Sequence, residues 1–147
     1  MERGRYRVPT LREALELVAG RVGMFVEVKH AEDAPKVVEV IREVGAERWA
    51  AVISFHEEAV AGISLYKGLI YAKPPGRVAD AKKLGCHLVL PHFRLATDKA
   101  IAFAHRLGLA VVAWTVNDET TAAQLWSAGI DGIATDDVEK IRETKPR

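Results

Sequence analysis

At 147 residues the chain is long enough for one domain with its own hydrophobic core. Its 49% hydrophobic and 28% charged residues suit a globular protein, and a formal charge of +1 gives no overall attraction to nucleic acid or to an anionic membrane. A single cysteine, Cys86, excludes an intrachain disulfide. It precedes an aliphatic run and is expected to be a small buried hydrophobe, in keeping with a cytoplasmic setting. Met1 to Pro9 contains no apolar signal-peptide core, and Leu107 to Val116, the longest nearly apolar stretch, is too short to span a bilayer. Arg3, Arg5 and Arg7 make the start basic, which a solvated terminus explains.

Thr10-Leu-Arg-Glu13 is a capping box that opens a helix with Leu11, Ala14, Leu15 and Val18 on one stripe. Met24 to Lys29 then reads as a strand. Asp33 is positioned to cap a second helix that tolerates Pro35 in its first turn, buries Val37, Val38, Ile41 and Val44, and stops at Gly45. The alternation continues: a strand over Ala50 to Phe55, a helix from Glu57 to Leu65, a strand from Gly68 to Ala72 and a helix from Val78 to Leu84. His87 to Pro91 forms a strand, Thr97 caps a helix ending at Gly108, and Leu109 to Val116 is the most apolar strand. Asn117 or Asp118 caps the next helix, Asp131 to Thr135 forms the last strand, and Asp136 or Asp137 starts a terminal helix.

The strands are continuous apolar runs, as required when a parallel sheet is covered on both faces. Strands alternating with helices predict a single α/β domain, residues 1–147, built from parallel βα repeats. Six such units are two short of a closed eight-stranded barrel. A doubly wound sheet would accommodate six, but the chain has neither GxGxxG nor GxxxxGK[ST].

In either architecture the chemistry lies beyond the carboxyl ends of the strands. Those ends carry Glu27 and Lys29, Ser54 and His56, Tyr71 and Lys73, His92, Trp114 and Asn117, then Thr135 and Asp136. Glu27 and Lys29 are two residues apart and project from one face, either as a structural ion pair or as a cation ligand beside a phosphate-binding lysine. His56 and His92 are at strand exits, where an imidazole can act as acid or base, although nothing in their spacing demands it and caps or surface positions are the default. His87 starts a strand and belongs at the opposite end, and His105 lies on a solvent-facing helix position. Trp114 can wall a pocket against a polyol skeleton or simply fill core.

The order of several segments resembles the glycerophosphodiester phosphodiesterase family. Val8-Pro-Thr-Leu-Arg-Glu13 resembles its (I/L)PTLEE helix start, Val26-Glu-Val-Lys29 its (I/V)E(I/L)K strand, and Val52-Ile-Ser-Phe55 its SSF strand. Val112 to Asn117 and Gly129 to Asp136 resemble WTVN and G(V/I)DG(I/V)xTD. The resemblance implies a TIM-type (β/α)₈ barrel and metal-dependent hydrolysis of glycerophosphodiesters to glycerol 3-phosphate and an alcohol. It also implies that Glu27 is a ligand of Ca²⁺ or Mg²⁺, that Lys29 is the active-site lysine, and that Trp114 borders the glycerol group. Asn117 and Asp136 match signature positions and are assigned to loop architecture.

The same family pattern includes His-Arg-Gly, Glu-x-Asp and His-Asp motifs, none of which occurs in residues 1–147. The chain therefore matches a partial barrel lacking about the first two units, incomplete for turnover by itself. His56 and His92 are the histidines left as catalytic candidates beside Lys29. The open barrel is expected to form a homo-oligomer or to pair with an N-terminal fragment. A noncatalytic phosphate- or polyol-binding role is the alternative function.

Overall fold

The computed structural model describes residues 6–147, so Arg3 and Arg5 lie outside the described residues. Helix α1 (Leu11–Val18) opens on the expected capping box. The Thr10 hydroxyl accepts the Glu13 N–H, and the Glu13 carboxylate accepts the Thr10 N–H. Arg7 grips the same carboxylate through two hydrogen bonds of 2.9 and 2.8 Å. Strand β1 (Met24–Glu27) follows, then a 3₁₀ turn (Ala31–Asp33) and α2 (Ala34–Val44), stopped by Gly45 at φ 75°. Asp33 does not cap α2 with its side chain. As the last residue of the 3₁₀ turn it already has helical angles (φ −84°, ψ −14°), whereas a side-chain cap requires an extended residue.

The chain continues through β2 (Ala50–Ser54), α3 (Glu57–Val60), β3 (Tyr66–Tyr71), α4 (Val78–Lys83) and β4 (Leu88–Pro91). A 3₁₀ turn (Phe93–Leu95) leads to α5 (Asp98–Arg106), β5 (Ala110–Ala113), α6 (Glu119–Ser127), β6 (Gly132–Ile133) and α7 (Val138–Arg142). Thr97, Asp118 and Asp137 cap α5, α6 and α7, each accepting a backbone N–H three residues on. Element order agrees with the sequence reading, but the outer strands are shorter than their apolar runs and α3 is a single turn.

All strand pairs are parallel and follow chain order from β1 to β6. A doubly wound sheet reverses direction at a switch point, and this sheet never does. Parallel crossovers of one hand curl it into part of a TIM-type barrel.

Side chains alternate across the strands. Val52, Leu69, Val89 and Val111 point outward under the helices, with Leu15 and Ile41 packed in one cluster and Ile101 and Ile141 in another. Ile53, Ile70, Leu88 and Leu90 point inward and form a separate layer with Val112 and Trp114. Gly68 makes that inner layer possible, since a Cβ there would lie 2.8 Å from Leu88 Cγ and Leu90 Cδ1. The concave side is only partly filled: Phe25 is 49% exposed, Tyr66 51% and Phe55 41%. Cys86 is buried as expected, and burial pushes its thiol pKa up.

Candidate functional site

Two hollows open on the concave side. The larger, about 690 Å³, lies at the amino ends of the strands, where Trp49, Tyr66 and His87 line it. The smaller, about 330 Å³, lies at the carboxyl ends. The smaller one carries the candidate chemistry. Barrel enzymes place their reacting groups at the carboxyl face, and this hollow contains a carboxylate and an ammonium.

Its floor is Ile53, Ile70, Leu90 and Val112, its walls are Phe25, Phe55 and Trp114, and Glu27 and Lys29 stand at its rim. Parity explains the grouping, because Phe25, Glu27 and Lys29 alternate onto one side of the first strand and its extension. Lys29 Nζ lies 3.4 Å from Glu27 Oε2, with the lysine side chain 75% exposed and the glutamate 34%. This is a solvated pair at a cavity mouth. A buried structural ion pair, the other sequence reading, does not describe it.

Trp114 ends the β5 segment, and its indole N–H donates to the Leu90 carbonyl at 2.8 Å. Phe55 meets the indole edge-on with centroids 6.0 Å apart, and His92 meets it edge-on at 5.2 Å. The His92 ring also stacks on Phe93 at 4.5 Å, and its Nδ1 accepts the Arg94 N–H. In the neutral ring Nε2 then carries the proton.

His56 is not gathered in. It is exposed at the start of α3, and its ring lies outside the cavity lining. His87 is at the opposite end, where its Nδ1 accepts the Lys67 N–H. His105 is exposed and paired with Asp131 at 2.7 Å, a partner the sequence reading did not foresee. The aromatic walls Phe25 and Phe55 were also missed, although their parity with Glu27 and Ile53 was a usable signal.

Among the described residues no three His, Cys, Asp or Glu side chains come together as a metal site. Glu27 is the sole carboxylate among the residues lining the cavity. Ca²⁺ takes about six to eight oxygen ligands and Mg²⁺ about six, so these residues alone do not fit either ion.

At the exits of β5 and β6, Asn117 makes three side-chain hydrogen bonds. Its amide N–H donates to Asp136 Oδ2 at 2.9 Å, and its carbonyl accepts the Thr135 hydroxyl and the Asp136 N–H, each at 3.0 Å. Lys140 Nζ adds a bond to the Asn117 main-chain carbonyl at 3.0 Å.

Curled parallel strands with a polar rim at their carboxyl ends define a partial (β/α) barrel of the kind that carries chemistry at that face. The chain belongs to the Glycerophosphoryl diester phosphodiesterase family, which it matches over residues 1–140. It is 27% identical to YhdW of Bacillus subtilis, a candidate glycerophosphodiester phosphodiesterase, over 88% of this chain and 59% of that protein. A candidate glycerophosphoryl diester phosphodiesterase from Silicibacter pomeroyi superposes with a TM-score of 0.85 at 25% identity, covering 94% of this chain and 56% of that one. An Oleispira antarctica phosphodiesterase, solved with its product sn-glycerol-3-phosphate, superposes at 0.77 with 23% identity, covering 92% of this chain and 60% of that one. The chain thus spans less than two thirds of the length of each of these relatives. Among the described residues no helix is long and apolar enough to cross a membrane.

Proposed function

We propose that the chain binds the glycerol phosphate end of a glycerophosphodiester at the Glu27–Lys29–Trp114 cavity, and that residues 1–147 alone do not complete the family's hydrolysis. The observation that carries this reading is the solvated Glu27–Lys29 pair at the mouth of a cavity of about 330 Å³ walled by aromatic rings. Lys29 supplies the positive charge for the phosphate, and its Glu27 partner holds it over the opening. The Trp114 and Phe55 rings present apolar surface to the carbon skeleton.

Glu27 is the cavity residue proposed to hold a Ca²⁺ or Mg²⁺ ion, which would need more oxygen donors than the cavity lining offers and would supply charge stabilisation for a phosphoryl group. His92, in edge contact with the cavity-lining Trp114, is the better-placed acid or base, although neither its ring nor that of His56 lines the cavity itself. One lysine, one carboxylate and one imidazole fall short of a metal-assisted acid–base apparatus, which favours binding over turnover. A cytoplasmic setting suits the unpaired, buried Cys86.

The exposed Phe25, Phe55 and Tyr66 on the concave face support its being covered, either by further βα units of an N-terminal fragment or by a second copy of the chain. Analytical ultracentrifugation of the chain, alone and mixed with such a fragment, distinguishes these from a bare monomer.

Calorimetric titration with sn-glycerol 3-phosphate tests the binding reading. Binding is expected in the wild-type chain and weakened about tenfold or more in Lys29→Ala, since a hydrogen bond to a charged group is worth about 1.5–3 kcal/mol; Glu27→Ala is expected to weaken it in the presence of Ca²⁺ or Mg²⁺. A folded chain that binds nothing overturns it. Turnover of glycerophosphocholine or glycerophosphoethanolamine with Ca²⁺ or Mg²⁺ present would refute the incompleteness and make His92 the first residue to replace.

A further inference from the structure

Ser54 joins two of the strand ends around the cavity, and we propose that it is the positioning residue for Lys29 and Phe55; the proposal rests on the binding role given above. Ser54 ends β2 and is 0% exposed. Its hydroxyl donates to the Val28 carbonyl at 2.7 Å and accepts the His56 N–H at 3.1 Å. A hydroxyl buried that deeply is tolerated because both of its hydrogen-bonding roles are used.

Val28 stands between Glu27 and Lys29. Its carbonyl shares one rigid peptide plane with the Lys29 N–H, so fixing the carbonyl fixes the plane from which Lys29 leaves the strand. Regular strand β1 ends at Glu27, and the last ladder bond is the Val28 N–H to the Ile53 carbonyl at 2.9 Å. Past that bond, the chain carrying Lys29 is tied to β2 by the Ser54 hydroxyl, and by Ala31 it has entered a 3₁₀ turn. The second hydrogen bond acts on the neighbouring strand end. By holding the His56 N–H it fixes the turn through Phe55, whose ring is a cavity wall and packs edge-on against Trp114. One hydroxyl therefore holds the main chain that carries the lysine and the main chain that carries the adjacent aromatic in a common frame.

The test is a double-mutant cycle on the full chain titrated with sn-glycerol 3-phosphate, using wild type, Ser54→Ala, Lys29→Gln and the double variant. Ser54→Ala is expected to weaken binding about tenfold in the wild-type background. In the Lys29→Gln background the loss falls to about twofold or less, because a residue acting through Lys29 has little left to position. Equal losses in both backgrounds, or no loss in the first, overturn the proposal. If Ser54→Ala does not fold, Ser54→Cys takes its place, filling the same space with a weak donor. The amide resonances of Lys29 and His56 provide a reading without ligand: both are expected to shift in the Ser54 variant, and unmoved resonances overturn the positioning role. A folded wild type that binds no glycerol 3-phosphate overturns the binding reading instead, and the Lys29 amide then decides the role of Ser54 separately.

Discussion

The Trp114 indole N–H and the Leu90 carbonyl, 2.8 Å apart, tie the end of β5 to β4 beside the cavity and hold the indole between Phe55 and His92. Because the bond is made by the ring edge, it fixes the ring's direction as well as its place. Trp114→Phe is expected to keep an aromatic wall but lose this bond, at about 1 kcal/mol of stability. Trp114→Ala is expected to cost about 2–3 kcal/mol, less than a fully buried aromatic because the side chain is half-buried. Urea unfolding of both variants checks the order, and a Trp114→Phe variant as stable as wild type would show that the bond contributes nothing.

Gly68 is fixed by space on the concave face. Gly68→Ala places a methyl 2.8 Å from two leucine side chains in the inner layer. The expected cost is about 1–3 kcal/mol, as for other overpacked cores, read as a lower urea midpoint with an unchanged slope. In the double variant Gly68→Ala, Leu88→Val, part of that loss should return, because the added methyl gains room.

Asn117 couples the β5 and β6 exits through both ends of its amide. Asn117→Ala leaves Asp136 and Thr135 without these partners and is expected to cost about 1–2 kcal/mol, their exposure to water limiting the loss. Asn117→Asp adds a second carboxylate next to Asp136. At pH 7 the two like charges repel, so this variant should be less stable than Asn117→Ala, and the difference should shrink in about 1 M salt. Thermal unfolding at low and high salt is the measurement, and a salt-independent difference would refute the account.

The Glu13 carboxyl is held down from 4.5 to about 2, first by its hydrogen bonds from Arg7 and then by those from Thr10. A depressed carboxyl pKa contributes stability that is fully present above the unfolded value and lost as pH falls through the folded one. Wild type should therefore lose more stability than Arg7→Ala between pH 5 and pH 2. The pair is on the surface, so about 1 M salt should shrink that difference. Melting curves of the two proteins at low and high salt read it directly.

Much of the architecture was legible because it depends on local chemistry. The Thr10–Glu13 capping box, the cap at Thr97 and the αL stop at Gly45 each depend on residues a few positions apart, whereas at α6 and α7 the structure chose Asp118 and Asp137 from two adjacent candidates each. The pairing of Glu27 with Lys29 was legible for the same reason, since strand parity alone puts them side by side. Lys67 shows where local reading ends. A lysine beginning a strand reads as solvated, yet it is 4% exposed with its Nζ on the Val60 carbonyl, 2.7 Å away at the end of α3.

The sequence by itself determined that apolar runs alternate with amphipathic helices, which polar residues occupy the strand exits, and which family motifs they resemble. Periodicity and capping are short-range properties, so they survive without knowledge of the fold. Only the tertiary structure decided that the strands run in one unreversed order, that Phe25, Phe55 and Trp114 meet around one cavity, and that His56 stays outside it while His92 touches the indole. Those relations join residues tens of positions apart, and they exist only once the sheet has curled and Gly68 has let Leu88 and Leu90 fill its concave side.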